Sequence, residues 1–147
     1  MKFIADAMLG SLARRLRLLG FDVLYDTSFS DNEVLRIALE QGRIILTRDT
    51  AFASRPLASN HLLIADSHIE EQIRQVLAFF PASGNDILTR CSVCNGLLET
   101  LDRNDARDHV PDHVFTTVNV FWHCVGCGRV YWRGSHLRNM GYLRTKI

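Results

Sequence analysis

All four cysteines of the chain fall into two C-x-x-C pairs, Cys91-Ser92-Val93-Cys94 and Cys124-Val125-Gly126-Cys127, twenty-nine residues apart. Two thiolates at that spacing turn toward one ion, and a second pair from a neighbouring hairpin completes the four-sulfur tetrahedron that Zn2+ favours. The competing assignments are two disulfides or one redox-active pair. Disulfides need an oxidising compartment, and Met1-Lys2-Phe3-Ile4-Ala5-Asp6 places charge where a secretory apolar run would stand. A thioredoxin-like motif uses one pair and leaves the other unexplained. The spacing therefore predicts a structural zinc site of Cys91, Cys94, Cys124 and Cys127. Four thiolates fill the shell, so this ion offers no open position for water and catalysis must be sought elsewhere.

The other residues with chemical potential are carboxylates at the ends of apolar runs. Asp6 closes the run Phe3-Ile4-Ala5, Asp31 opens a helical pattern, and Asp49 lies two residues beyond Arg43-Ile44-Ile45-Leu46-Thr47. Carboxylates converging from separate crossovers repel unless a cation joins them, and Mg2+ or Mn2+ takes oxygen ligands while keeping water positions open. An ion so held orients a phosphodiester, lowers the pKa of water and stabilises charge in phosphoryl transfer, which is the chemistry of a metal-dependent nuclease. Each acid also has a purely local explanation: Asp6 as a helix cap, Asp31 at a positive helix start, Asp49 in an Asx-turn. Their shared edge favours function. Asp66 is a weaker fourth candidate, and Glu33 reads as a capping partner. Arg48, beside Asp49, and Arg14 and Arg15 are placed to meet phosphate oxygens. The histidines at 61, 68, 109 and 113 lack metal or triad spacing, while His123 could only replace a thiolate in a shell already full.

The elements that must position these residues follow from periodicity. Strands are predicted at residues 3–5, 21–25, 43–47 and 61–65. A helix is predicted from Met8 to Leu19, with Leu9, Leu12, Ala13, Leu16 and Leu19 on its apolar stripe, Arg14 and Arg17 off it, and Gly20 as the stop. Ser30-Asp31-Asn32-Glu33 is a capping box opening a second helix to about Gln41, which Gly42 ends. A further amphipathic helix carries Ile69, Ile73, Val76, Leu77 and Phe80 and stops at Pro81. Strand and helix in alternation imply an open, mainly parallel α/β sheet with helices on both faces. In such sheets ligands sit at the carboxyl ends of the strands, which is where the acids fall. Residues 82–86 read as a linker, giving domains at 1–83 and 88–147. In the first, Arg48-Asp49-Thr50 reads as a polar turn; in the second, the charged stretch Glu99 to Asp112, broken by Pro111, suits a projecting loop. Residues 118–122 and 130–132 read as strands, and Gly134-Ser135 starts a last helix.

With 147 residues, 47% of them hydrophobic, the chain can bury a real core, and no apolar run approaches the roughly 20 residues needed to cross a bilayer. A soluble, cytoplasmic protein is expected. The net charge of +1 hides an asymmetry: residues 1–87 hold nine Lys or Arg and eleven Asp or Glu, whereas residues 113–147 hold five basic residues and no acid. Arg129, Arg133, Arg138, Arg144 and Lys146 are interleaved there with Trp122, Tyr131, Trp132 and Tyr142, a composition suited to phosphates and unpaired bases. A small core with a solvated face is the structural alternative.

Two sets of motifs together resemble the Mut7-C family. In the first half they are Asp6-Ala7-Met8-Leu9-Gly10, Leu12-Ala13-Arg14, Leu16-Arg17-Leu18-Leu19-Gly20-Phe21-Asp22, Ser30-Asp31 and Gly42-Arg43-Ile44-Ile45-Leu46-Thr47-Arg48-Asp49. In the second half they are Cys91-x-x-Cys94-Asn95, Val110-Pro111, Cys124-x-x-Cys127-Gly128 and Tyr131-Trp132-x-Gly134-Ser135-His136. The resemblance implies a PIN-like ribonuclease domain fused to a zinc ribbon, with Asp6, Asp31 and Asp49 as the metal-binding acids. It implies RNA as substrate, Mg2+ or Mn2+ as cofactor, and hydrolysis leaving a 5′-phosphate. RNA contacts are accordingly expected at Arg14, Arg15, Arg48, Arg129, Trp132, Arg133, His136 and Arg138. The competing expectation is a non-catalytic RNA-binding or ribosome-associated module, and a third is phosphate-ester hydrolysis on small molecules.

Overall fold

The computed structural model describes residues 1–83, 86–134 and 137. The RNA contacts expected at His136 and Arg138, and the body of the last predicted helix, lie outside them.

Short β-branched and leucine-rich runs make four parallel strands, β1 (Lys2–Ala5), β2 (Asp22–Leu24), β3 (Ile44–Thr47) and β4 (His61–Leu63), in the order β2-β1-β3-β4. The connecting helices are α1 (Gly10–Leu18), α2 (Asp31–Gln41) and the four-residue α3 (Thr50–Ala53), with α4 (Ile69–Phe79) after β4. Strand side chains alternate between two cores, as the two-residue period requires. Phe3, Ala5 and Leu46 pack with Leu12, Leu16, Ile73 and Val76 of α1 and α4. Ile4 and Ile45 face the other way, onto Val34, Leu35 and Ala38 of α2 and Phe52 of α3. Each such leucine or isoleucine, fully removed from water, contributes on the order of 1.5–3 kcal/mol before chain entropy is set against it. The fold is therefore an open α/β sandwich.

Helix ends follow the sequence signals. The Ser30 hydroxyl accepts from Glu33 N while the Glu33 carboxylate accepts from Ser30 N, and Gly42 closes α2 at φ +60°. The plain turn expected at residues 48–50 is instead the start of α3, because Asp49 Oδ1 accepts from Phe52 N and caps it.

Arg17 departs from expectation most. Its position off the apolar stripe predicts a solvated side chain, yet it is only 4% exposed. The reason is a second unit that covers it. A three-stranded antiparallel sheet of β5 (Leu98–Leu101), β6 (Phe121–Cys124) and β7 (Val130–Trp132) is ordered β5-β6-β7. The stretch expected to project as a loop, Glu99 to Asp112, holds part of β5, the short helix α5 (Arg103–Ala106) and a 3-10 turn (Arg107–His109), and it ends where α6 (Asp112–Thr117) begins. Asp102 caps α5, and Ala106, Val114 and Phe121 form a small core under these helices. Arg103 fixes their mutual position by stacking 3.9 Å from the Phe115 ring and donating to Phe115 O.

The opposite face of this small sheet packs on the first: Leu98, Trp122 and Tyr131 sit against the core of α1 and α4, and Leu88 is buried within it. Polar contacts complete the junction. Asp22 accepts from Arg43 Nη1 at 2.8 Å and from Asn95 Nδ2 at 2.8 Å, with Arg90 at 3.8 Å. Burial works against ionisation of Asp22, but the Arg43 and Asn95 hydrogen bonds and the two arginine charges outweigh it and hold its carboxyl below the usual range. A carboxyl depressed on folding stabilises the native state above its unfolded pKa of about 4, and that contribution is lost as pH falls through the lower folded value. Asp22→Asn is therefore expected to lower stability at pH 7 and to flatten its decline below about pH 4, as urea unfolding at several pH values would show. Equal pH profiles for the two proteins would contradict this.

Candidate functional site

The four cysteines are gathered as their spacing requires. None is disulfide-bonded, and their sulfurs all lie within 4.8 Å of one another. Cys91 and Cys127 stand 3.6 Å apart, Cys94 and Cys124 3.3 Å. Sulfurs at about 2.3 Å from one tetrahedral ion would be about 3.8 Å apart, so the cluster fits zinc. The two knuckles have the same backbone plan. Asn95 N donates to Cys91 O and Gly128 N to Cys124 O, and both residues following a second cysteine are left-handed, Asn95 at φ +67° and Gly128 at φ +75°. Backbone amides aim at sulfur: Cys94 N at Cys91 Sγ, and Gly126 N and Cys127 N at Cys124 Sγ. Tyr131 adds its hydroxyl 3.0 Å from Cys91 Sγ.

Burial opposes ionisation of Cys91, but the Cys94 amide and the Tyr131 hydroxyl outweigh it and bring the thiol down to about 6. Cys94 has the Gly96 amide in its favour, yet burial and the neighbouring sulfurs push it up to about 12. The two thiols diverge because sulfurs this close share hydrogen bonds, so that ionising one disfavours ionising its neighbour, and a divalent cation removes that conflict.

The acidic edge is built differently. The order β2-β1-β3-β4 changes direction at the β1/β3 crevice, the place where open α/β sheets bind ligands. Asp6 and Asp49 flank it. Asp6 N extends the β1 ladder by donating to Leu46 O at 3.0 Å. Asp6 Oδ2 accepts from Thr47 Oγ1 at 2.5 Å and from Arg48 N at 3.2 Å, while Oδ1 accepts from Met8 N and caps the 3-10 turn Ala7–Leu9. Thr47, fully buried, also accepts from Asp49 N at 3.0 Å. One hydroxyl thus ties the two acid-bearing loops together.

Asp31 belongs to the same edge at the first turn of α2, where its exposed carboxylate pairs with Arg55 at 3.0 Å. The three carboxylates are not drawn into one compact group; among the described residues the four cysteines alone form one. Asp66 accepts from His68 N in the turn before α4 and does not cap the helix itself. Arg48 is half-buried, and its side chain makes no hydrogen bond or ion pair among the described residues. Arg14 is exposed and Arg15 half-buried on α1. Arg129 and Arg133 are exposed, whereas Trp132 packs against the small core of Phe121 and Val114.

In the sequence alone Thr47, Arg55 and Asn95 receive no role at a site, and Tyr131 reads as a base-stacking aromatic, not as a hydroxyl partner of Cys91. Asn95 had a usable signal, because asparagine tolerates the left-handed turn that glycine fills at 128. Thr47 had none, since a threonine ending a strand is ordinary.

The model of the Mut7-C RNAse domain matches residues 1–143. The chain belongs to the Mut7-C RNAse family. Comparison with curated proteins and with solved structures returns no match. The Mut7-C match spans both the acid-bearing sheet and the cysteine cluster, so the two are parts of one family unit. Among the described residues of this Mut7-C chain no helix is long and apolar enough to cross a membrane.

Proposed function

We propose that this Mut7-C chain is a metal-dependent ribonuclease that hydrolyses RNA phosphodiesters at the carboxyl edge of its parallel sheet. The observation that carries the reading is the Asp6–Thr47–Asp49 link at the β1/β3 crevice, in a chain whose family is that of an RNAse domain. The residues present suit Mg2+ or Mn2+. Asp6 accepts three hydrogen bonds and a carboxylate offers about four acceptor sites. Asp49 uses Oδ1 for its cap and keeps Oδ2 clear of hydrogen bonds among the described residues. Mg2+ commonly takes one or two carboxylates and completes its shell with water and phosphate oxygens. Such an ion supplies Lewis-acid stabilisation of the phosphoryl group and a more acidic water.

The chain's own part is preorganisation. Thr47 holds the Asp6 carboxylate in one orientation, the α3 cap does the same for Asp49, and Asp31 supplies a third acid. Arg48 and Arg55 bring positive charge to the edge where an RNA phosphate would lie. The cysteine cluster holds a structural zinc ion, and the exposed Arg129 and Arg133 assist RNA binding.

Purified protein is expected to cut RNA in Mn2+ or Mg2+, and Asp49→Asn to lower the rate at least about 100-fold with an unchanged thermal midpoint. Equal cutting by the variant would indicate a contaminating nuclease and remove the assignment. One observation favours a second reading, a non-catalytic RNA-binding module: Asp31 is engaged by Arg55, and the three acids form no compact group. RNA bound but uncut in either metal would support that reading. Hydrolysis of a small phosphomonoester without RNA cleavage would point to the third.

A further inference from the structure

We propose that Arg17 is the counter-cation of the metal-loaded four-cysteine cluster, and that through it metal affinity and the packing of the first sheet's outer edge are coupled.

The inference starts from a charge without a partner. Arg17 is 4% exposed, and all its hydrogen-bond acceptors are neutral carbonyls: Val23 O from Nε at 2.8 Å, and Ser92 O at 3.1 Å and Val93 O at 2.8 Å from Nη1. No carboxylate lies within ion-pair distance among the described residues. An arginine does not shed its proton, so a buried guanidinium in this position needs negative charge from elsewhere. Ser92 and Val93 are the two residues between Cys91 and Cys94. Four thiolates around one divalent cation leave a net double negative charge, and Arg17 sits against the knuckle that carries half of it. Burial depresses the guanidinium, and the groups that most oppose this are Cys91 and Cys94, ahead of Asp22.

The same knuckle finishes the sheet. β2 is an edge strand, and Val23 is the residue whose backbone groups point off that edge. Val23 N donates to Asn95 Oδ1 at 3.1 Å and Val23 O accepts from Arg17. Two edge groups that would otherwise need water are thus satisfied by the knuckle and its counter-cation. Because coupling is reciprocal, whatever the docked edge adds to metal affinity, the metal adds to the order of β2.

Zinc affinity is measured by competition with a chromophoric chelator, and β2 order by amide hydrogen exchange with and without chelator. Arg17→Gln is expected to weaken zinc about 10–100-fold, the range typical of groups supporting a metal's ligands, while Arg17→Lys keeps most of the affinity. Chelation of the wild-type protein is expected to speed exchange across β2 at least about tenfold. Arg36→Gln, which alters an exposed pair with Glu40, leaves both readouts unchanged. If Lys and Gln fell equally, a positional role would replace the counter-cation. Wild-type affinity in Arg17→Gln, or β2 exchange indifferent to chelation, would overturn the coupling. Should Arg17→Gln fail to fold, the Arg17→Lys affinity and the wild-type exchange experiment decide the question: weakening about 10-fold or more in Arg17→Lys would overturn the charge role.

Discussion

Removing the metal with a strong chelator is expected to unfold the second sheet with its helices, releasing one zinc per chain. Apart from the face that docks on the first sheet, the buried core of that unit consists, among the described residues, of Ala106, Val114 and Phe121, with partly buried neighbours around them. A core of this size does not sustain a fold of some 45 residues without a staple. Structural zinc in small domains is worth about 10–16 kcal/mol of apparent binding energy at neutral pH, more than such a core supplies. The four sulfurs also fix the geometry of both knuckles, through Asn95 and Gly128 and the amides aimed at Cys91 and Cys124. Far-UV circular dichroism during chelation, with metal release followed in parallel, measures the effect; a spectrum unchanged after full zinc loss would contradict it. Cys124→Ser should reproduce the chelated state without chelator.

Gly20→Ala is expected to be the most damaging glycine-to-alanine change among the described residues, at about 2–4 kcal/mol. Gly20 ends α1 at φ +92°, and a Cβ there would lie 2.3 Å from the Asp86 backbone oxygen and 2.5 Å from its Cβ. The substitution therefore meets both a left-handed backbone and a main-chain obstruction that no rotamer can relieve. Gly42→Ala isolates the first cost. Gly42 is also left-handed, at φ +60°, but nothing lies within 4 Å of its Cβ position. It should lose only about 1–2 kcal/mol. Urea midpoints of the two variants separate the terms, and equal losses would show that the segment at Asp86 yields.

The contrast between these glycines also shows what the sequence could convey. Both were readable as helix stops, and both are. That one of them also receives the chain arriving at the second unit was not readable, because the contact joins residues 66 positions apart. Parallel strands, the Ser30–Glu33 capping box and the cysteine cluster were legible because each rests on local periodicity or a fixed ligand spacing. Arg17 was misplaced for the opposite reason: its helical phase is that of a solvent-facing residue, and only the knuckle at Ser92 and Val93 buries it. The stretch 99–112 reads as a loop because its charges mask apolar positions at Leu101 and Ala106, which pack with Phe121 once β6 is in place. At the acidic edge, Asp6 and Asp49 prove to be helix caps as well as edge carboxylates. The local and functional explanations of these acids are compatible, since each cap uses one oxygen: the other is oriented by Thr47 and Arg48 N in Asp6 and stays clear of hydrogen bonds among the described residues in Asp49.

The role of that edge is the central claim, and one comparison addresses it most directly. Wild-type protein and Asp6→Asn, purified identically and matched in zinc content and thermal midpoint, are incubated with end-labelled RNA in Mn2+ and in EDTA. RNA should be cut by the wild-type protein in Mn2+ and left intact in the other three reactions. Cutting at the same rate by Asp6→Asn, or intact RNA with the wild-type protein in Mn2+, would contradict a nuclease centre built on Asp6 and Asp49.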